Sequence, residues 1–393
     1  MFQALFNSLS GLFSFSRSLN TISNNVSNMN TPGFHGSDSF FTNVAGGRGV
    51  RISGEGLRTQ SGDLRQTGNV TDVAVEGSGY FILRDEAGNL HYTRAGQFRF
   101  NEDGMLVDSV TNYQVMAFDT TGALNPIDLD AYRTLAAQAT TSVRIQGNIL
   151  PTVATTPTTT NNIVVYDSVG GTHALSVSFV AVPPTTGTNP TGTYNVTITN
   201  ENGAQVGTGQ IQFDTGTGML AAGSATTITA TLPIGAGQAI TFNFGTPGVP
   251  TGGVTSFGGV GASLGSRVEN GHGVLGITEM KFDDRGILQF TYSSTEHRSG
   301  PQLALAIFPN EASLRLDGGR MISGTAVSER TIGRPTDSGF GRIAGGSLEM
   351  SNVDLTQEFA DMIIVQRGYQ ASSRVMTVSN EMLEQLYNST RGG

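Results

Sequence analysis

The two ends of this chain differ in kind from everything between them, and that contrast limits the folds open to it. At the start, Leu5, Leu12, Leu19 and Val26 fall seven residues apart, with Phe15, Ile22 and Met29 at the complementary position. At the end, Leu355, Met362, Tyr369, Met376 and Leu383 repeat the spacing, and Phe359 adds to the apolar set. A seven-residue recurrence predicts helices with a narrow apolar seam, as found where helices pack lengthwise against other helices. Helices of this length are marginal alone in water, so both require partners. The simplest arrangement pairs the two with each other. Gln366, Ser373 and Asn380 stand at the alternate seam positions of the second segment. A two-helix coil accommodates these poorly, and several neighbours in a partly polar lattice accommodate them better.

Between the ends the period changes. Thr31, Pro32 and Gly33 stop the first helix at about residue 30, since proline disfavours helix before it and glycine permits a turn after it. Three later segments share one signature: FNEDGML (Phe100 to Leu106), FDTTGAL (Phe118 to Leu124) and FDDRGIL (Phe282 to Leu288). Each reads as strand, polar turn with glycine, strand, and so predicts a hairpin. Two copies precede the central section and one comes after it, which assigns both flanks to one β-rich domain. From Arg144 to Arg267 no Lys or Arg intervenes, and a Thr/Pro tract (Pro151 to Asn162) opens the section. Alternating runs then occupy Ile163 to Tyr166, Ala174 to Val182, Tyr194 to Thr199 and Ala239 to Phe244. This predicts a second β-domain inserted into the first.

The expected fold is therefore mainly β with α-helical termini, in a nested multidomain chain. Its expected parts are a terminal helical domain with a coiled-coil-like seam (1–72 and 340–393), a discontinuous β-rich middle domain (73–145 and 276–339) and an inserted outer β-domain (146–275). Gly-rich stretches at Gly46 to Gly56 and Gly252 to Gly265 are candidate hinges.

Composition narrows the function. The net charge is −9 and Lys281 is the only lysine, which argues against nucleic acid, whose binding rests on cations at phosphates. Cysteine is absent, so neither disulfides nor thiolate metal sites are possible. The N-terminal segment lacks a basic region and cleavage site, and Asn and Ser interrupt its apolar residues. A cleavable signal or membrane span is therefore not expected.

Catalytic patterns are weak. GHGVLG (Gly271 to Gly276) fits a dinucleotide-binding spacing, but the next residues read as strand rather than a helix opening. GASLG (Gly261 to Gly265) fits a nucleophile-elbow spacing inside a Gly-rich loop. The five histidines, His35, His91, His173, His272 and His297, lack the pair spacing of metal ligands on a helix and read as ordinary surface or turn residues. Asp283 and Asp284 read as turn residues. No catalytic, cofactor or metal site is expected.

Six stretches carry a resemblance. LNTISNNVSNMNTPGFHGSD (Leu19 to Asp38) resembles the N-terminal signature of bacterial flagellar rod and hook axial proteins, at Asn24, Asn25, Asn28, Thr31, Gly33 and Phe34. SLEMSNVDLTQEFADMIIVQRGYQASSRVMTVSNEMLEQL (Ser347 to Leu386) resembles their C-terminal signature, at Ser351, Asn352, Val353, Asp354, Gln366, Arg367, Tyr369 and Gln370. VAVEGSGYFIL (Val73 to Leu83) and YTRAGQFRFNEDGMLV (Tyr92 to Val107) are similar to the family's shared middle domain. IVVYDSVGGTHALSVSFV (Ile163 to Val180) is similar to the outer domain of its hook subunits, and Gly300 to Ser328 resembles their return strand. His35 departs from the pattern, since many relatives place Lys after Gly-Phe. The stretches Pro183 to Gly192 and Gly245 to Gly261 match nothing in the family pattern.

The resemblance implies a hook subunit that self-assembles into a curved hollow helical tube, a universal joint from rod to filament and a channel for exported chains. It implies homopolymer contacts through Leu5, Leu12, Phe15, Leu19, Ile22, Val26, Leu355, Phe359, Met362, Tyr369, Met376 and Leu383. The implied partners are distal rod, hook cap and hook-filament junction proteins and the flagellar export apparatus, and the implied location is outside the cell. A distal rod subunit is the nearest alternative. A β-sandwich adhesin or carbohydrate-binding protein, suggested by the Thr-rich outer section, is the alternative from another class.

Overall fold

A computed structural model describes residues 2–44, 49–151, 156–183, 192–235, 237–311, 314–317, 320–323 and 329–391. The chain opens with helix α1 (Phe2–Ser27) and closes with helix α2 (Leu355–Arg391), and the elements between them are strands joined by turns and loops. Contacts divide it into two compact units, residues 1–133 with 277–393, and residues 134–276.

In the first unit α1 ends four residues before Thr31. The Asn28 amide is shared between the Asn24 and Asn25 carbonyls at 3.2 Å each, and the Met29 amide turns to the Val26 carbonyl. That tightening is the usual end of a helical ladder. Gly33 then takes φ 69°, and a Cβ there would lie 2.3 Å from the Ala95 amide nitrogen, so only glycine fits. The chain returns along α1 as an antiparallel hairpin of β1 (Ser37–Asn43) and β2 (Val50–Leu57). The Gly46 to Gly56 stretch falls partly on residues 45–48, outside those described, and its remainder enters β2.

The β part of this unit is dominated by a thirteen-stranded sheet that draws on segments before and after the second unit. Gln114–Phe118, from the first segment, pairs with both Tyr80–Arg84 and the returning strand His297–Leu303. All three sequence-predicted hairpins lie in this unit. Its interior is apolar, with Phe81, Ile82, Leu83, Leu106, Val115, Ile127 and Leu303 fully buried.

The second unit has two larger sheets over one core, with a two-stranded ribbon of Thr134–Leu135 and Leu275–Gly276 beside them in sequence. One runs Thr158–Tyr166, Thr172–Ala181, Thr193–Asn200, Gln205–Gln212 as an antiparallel meander. In the other, Ser142–Asn148 pairs parallel with Gln238–Asn243 and antiparallel with Gly265–Val268. Val143, Ile145, Val165, Val177, Phe179, Ile198, Phe242 and Phe244 fill the space between, with Phe179 and Phe244 edge to face at 5.9 Å. From Ala174 to Ala181 half-buried and buried residues alternate strictly, the period-2 pattern that the sequence shows.

Six hairpin turns in the two units share one construction. At Asp85, Asn101, Asp119, Asp167, Asn200 and Asp283 the side-chain Oδ1 accepts the amide four residues on, at 2.7 to 2.9 Å. The residue three along is always glycine, at φ between 69° and 92°. Where the first residue is Asp, its second oxygen is also used. It takes His91, Asn125, His173 or Gln289, each six residues on, at 3.0 to 3.2 Å. Where the first residue is Asn, which has one oxygen, the sixth residue is Val107 or Val206. The turn chemistry thus extends to a cross-strand pair.

Candidate assembly interface

α1 and α2 pack antiparallel in constant register, with Asn25 beside Glu358, Phe15 on Gly368 and Gly11 on Ser372. Small side chains set their separation. A Cβ on Gly368 would fall 2.6 Å from the Phe15 ring, and one on Gly11 would fall 2.8 Å from Ser372 Oγ. At that register α1 runs out beside residue 381 or so, and the last ten or so residues of α2 extend about 15 Å beyond it. The neighbouring flank of α1 carries the β1–β2 hairpin. There Ser14 Oγ donates to the Val50 carbonyl (3.0 Å), Ser10 Oγ accepts the Val50 amide (3.2 Å) and Ser39 Oγ donates to Thr21 Oγ1 (3.1 Å).

The buried line of α1 is consequently Ser8, Gly11, Ser14, Ser18, Thr21, Ile22 and Asn25. On α2 it is Glu358, Val365 and Ser379. The helices do pair with each other, the simplest arrangement of the sequence, but largely through small and polar residues. Most of the apolar stripe stays partly open. Leu5, Leu12, Phe15, Leu19, Val26, Leu355, Met362, Met376 and Leu383 are half-buried, Ile22 is buried, and Phe359 and Tyr369 are exposed. Beside them Phe6, Phe13, Ile363 and Ile364 stand 60, 66, 54 and 66 % exposed. Sequence periodicity passes over these four because they lie off the seven-residue repeat, and it passes over Ser8, Gly11, Ser14, Ser18, Gly368 and Ser372 because they are not apolar.

Where the helices leave the β part, polar side chains join the two arms of the chain. Asn25 is buried; its amide donates to the Ser37 carbonyl (3.0 Å) and to Glu358 (3.2 Å), and its oxygen accepts the Ser37 amide (3.0 Å). Arg58 bridges Glu358 at 2.7 Å and Asp38 at 2.8 Å. Asn352 accepts the Gly36 amide (2.8 Å) and donates to the Gln60 carbonyl (2.6 Å). Asp354 caps α2, its Oδ1 accepting the Thr356 amide at 2.7 Å.

The remaining motif residues divide between this joint and the open helix surface. Thr31 hydroxyl donates to Asn28 (3.2 Å), Asn28 bonds back to Asn24, the Gly33 amide donates to the Glu349 carbonyl (2.8 Å) and Phe34 is fully buried. Ser351 and Val353 are half-buried, whereas Asn24, Gln366, Arg367 and Gln370 are exposed.

Below this lies an ion cluster. Glu349 takes His35 Nε2 at 3.0 Å and the Gly62 amide at 3.0 Å on one oxygen, and Arg94 Nε at 2.8 Å on the other. Arg94 also donates to Ser61 Oγ and the Gly77 carbonyl, 2.9 Å each. Burial alone pushes the Glu349 carboxyl up; the His35 and Gly62 hydrogen bonds and the Arg94 charge outweigh it and hold the group below the usual carboxylate range. His35 is thus not the surface residue expected from the sequence: it is 2 % exposed, because Glu349 and the Arg58 carbonyl offer both ring nitrogens partners inside the fold.

Comparison with known proteins defines the class first. Residues 5–35 match the family model described as flagella basal body rod protein, and residues 344–389 match the flagellar basal body rod FlgEFG protein C-terminal model. Between them, 74–165 match the flagellar hook protein FlgE/F/G D1 domain and 129–296 the flagellar basal body protein FlaE D2 domain. These models place the chain among flagellar rod and hook axial proteins. Flagellar hook protein FlgE of Escherichia coli is 30 % identical over 412 residues, covering 97 % of this chain and 98 % of the relative. The Treponema pallidum hook protein FlgE is 29 % identical over the full length of both chains. The crystal structure of Helicobacter pylori flagellar hook protein FlgE2 aligns at 13 % identity and TM-score 0.46, covering 73 % of this chain and 100 % of that one. The chain belongs to the flagellar hook protein family.

Proposed function

We infer that this chain is the structural subunit of a flagellar hook. Copies self-assemble into a curved hollow helical tube that transmits torque from rod to filament and carries exported chains through its lumen. The observation that carries this reading is the helix pair itself: α1 and α2 spend their small, polar faces on each other and leave Phe6, Phe13, Phe359, Ile363, Ile364 and Tyr369 open. A contiguous apolar surface of this kind marks a protein contact, and a repeat along two long helices suits neighbours of the same kind. The stripe residues of both helices, from Leu5 to Leu383, are the proposed contacts. The division into helical inner, β-rich middle and inserted outer parts is proposed to follow the radius of the tube.

The distal rod, hook cap, hook-filament junction proteins and export apparatus are the proposed partners, and the proposed location is the extracellular part of the flagellum. The Gly-rich stretches are proposed to let the parts reorient as the tube bends. Electron microscopy of basal bodies from a strain lacking the gene tests the reading. A complete rod without a curved hook is expected; a truncated rod would move the chain inward to the rod, and intact flagella would overturn both.

A further inference from the structure

A groove runs between α1, α2 and β1, beside the contact of Asn25 with Glu358, and encloses about 190 Å³. Ile364 and Phe41 line it at 66 and 42 % exposed, so its apolar walls are uncovered in the single chain. Three carboxylates line it as well: Glu358 is buried, Asp361 is half-buried and Asp38 is open to solvent. The one cation among the lining residues, Arg58, is divided between Glu358 (2.7 Å) and Asp38 (2.8 Å). Among the described residues Asp361 has no ion pair, and it accepts the neutral side-chain amide of Gln357 at 3.0 Å. Three carboxylates against one guanidinium leave the groove with an excess of two negative charges beside open apolar side chains.

The same helix pair carries the opposite charge on another face. The line of α2 that meets α1 runs through Glu358, Val365, Ser372 and Ser379. At 3.6 residues per turn, Arg367 and Arg374 leave α2 on nearly the opposite side, about 10 Å apart along the axis, with Ile363 one turn before Arg367. Both arginines are exposed, and neither has an ion pair or hydrogen bond among the described residues. Neither reaches Asp361 of its own helix, which leaves on a different face. Arg17 of α1 is exposed too, but it stands one turn from Thr21, whose hydroxyl donates to Glu55 of β2 (3.3 Å), so its own chain offers it a carboxylate.

We propose that the occupant of the groove is α2 of a second copy of this chain, lying with its Arg367 and Arg374 face along the groove, a guanidinium on Asp361 and Ile363 against the Ile364 wall. Arginine suits such a place, because its fork matches a carboxylate and its stem covers apolar surface. The groove and the arginine face lie on different sides of one helix pair, so every copy offers both halves. The contact is head-to-tail and repeats without closing on itself as a two-fold dimer does. The proposal rests on the reading of the chain as a self-assembling hook subunit and names one contact of that assembly.

The test is the critical concentration for polymerisation of the full chain, measured by sedimentation for wild type, Asp361→Arg, the pair Arg367→Glu with Arg374→Glu, and all three changes together. Like charges forced together at an interface are costly, so each reversal is expected to raise the critical concentration about tenfold or more. The combined variant restores opposite charges between copies and is expected to return to within about threefold of wild type. A folded reversal that polymerises like wild type, or a combined variant no better than the reversals it contains, would overturn the proposal. If circular dichroism shows a reversal to be unfolded, Asp361→Asn and the pair Arg367→Gln with Arg374→Gln take its place: each is expected to raise the critical concentration severalfold, and an unchanged value would overturn the contact. Wild type that polymerises regardless of these charges would sink this contact and leave the hook reading standing, whereas wild type that stays monomeric at every concentration would sink both.

Discussion

Replacing Phe6, Phe13, Ile363 and Ile364 together with Ser tests the assembly surface where the monomer is least affected. Serine has about the same helix propensity as phenylalanine and isoleucine, and none of the four side chains is buried in the single chain. The fold of the monomer should change little, within about 0.5 kcal/mol per site. Polymer contacts should change a great deal. Full burial of such a side chain is worth about 1.5–3 kcal/mol. With over half of each surface open, coverage by neighbouring copies yields about 1–2 kcal/mol per position, or about 4–8 kcal/mol for the four if they act independently. At about 1.4 kcal/mol per factor of ten, the critical concentration for polymerisation should rise at least about a thousandfold. Sedimentation across a concentration series gives that value, and far-UV circular dichroism reports the fold. A folded variant with a critical concentration within about threefold of wild type would refute the reasoning: these flanks would then not be the contacts.

Three further expectations concern the joint beneath the helices. Gly33→Ala, at a left-handed φ with backbone 2.3 Å from the added carbon, should lower stability by several kcal/mol, on the order of 3 or more, by thermal or urea denaturation. Asp354→Ala should remove the α2 cap at a cost of about 1 kcal/mol, with fraying of the first turn seen as faster amide exchange at Thr356. The Glu349 carboxyl is held below its ordinary value in the fold, so it contributes stability above about pH 4.5 that disappears as pH falls through the folded value. Glu349→Gln should therefore flatten the acid limb of the stability curve while lowering stability at neutral pH, and an unchanged acid limb would contradict the assignment.

The helices were legible from the sequence because a seven-residue repeat is a local property of one segment. The face that each helix turns to the other was not. Close approach selects for Gly11, Gly368, Ser372 and their kind, which an apolar periodicity does not register, and the stripe it does register is the surface left over. The hairpins show the reverse case. Requiring Phe before and Leu after the turn finds three; the physical content is Asp or Asn with glycine three residues later, and that shorter pattern finds all six, along with Asn30–Gly33, Asn43–Gly46, Asn189–Gly192 and Asn270–Gly273, which are not among them. The ion cluster was invisible, since His35 and Arg94 meet Glu349 across 314 and 255 residues. No local pattern joins residues so far apart, and a lone histidine in a turn gives no sign of burial.

The six Asp/Asn–glycine turns have a kinetic consequence. Each fixes its hairpin's alignment with bonds spanning at most six residues, so alignment is set by neighbours in the chain and not by the finished core. Hairpins of this kind form in about 1–10 μs. The parallel pairing of Ser142–Asn148 with Gln238–Asn243, by contrast, must wait for nearly a hundred residues to close into a loop. A chain written this way arrives at its slowest step with six correctly aligned ribbons already in hand, and its search is reduced to docking them.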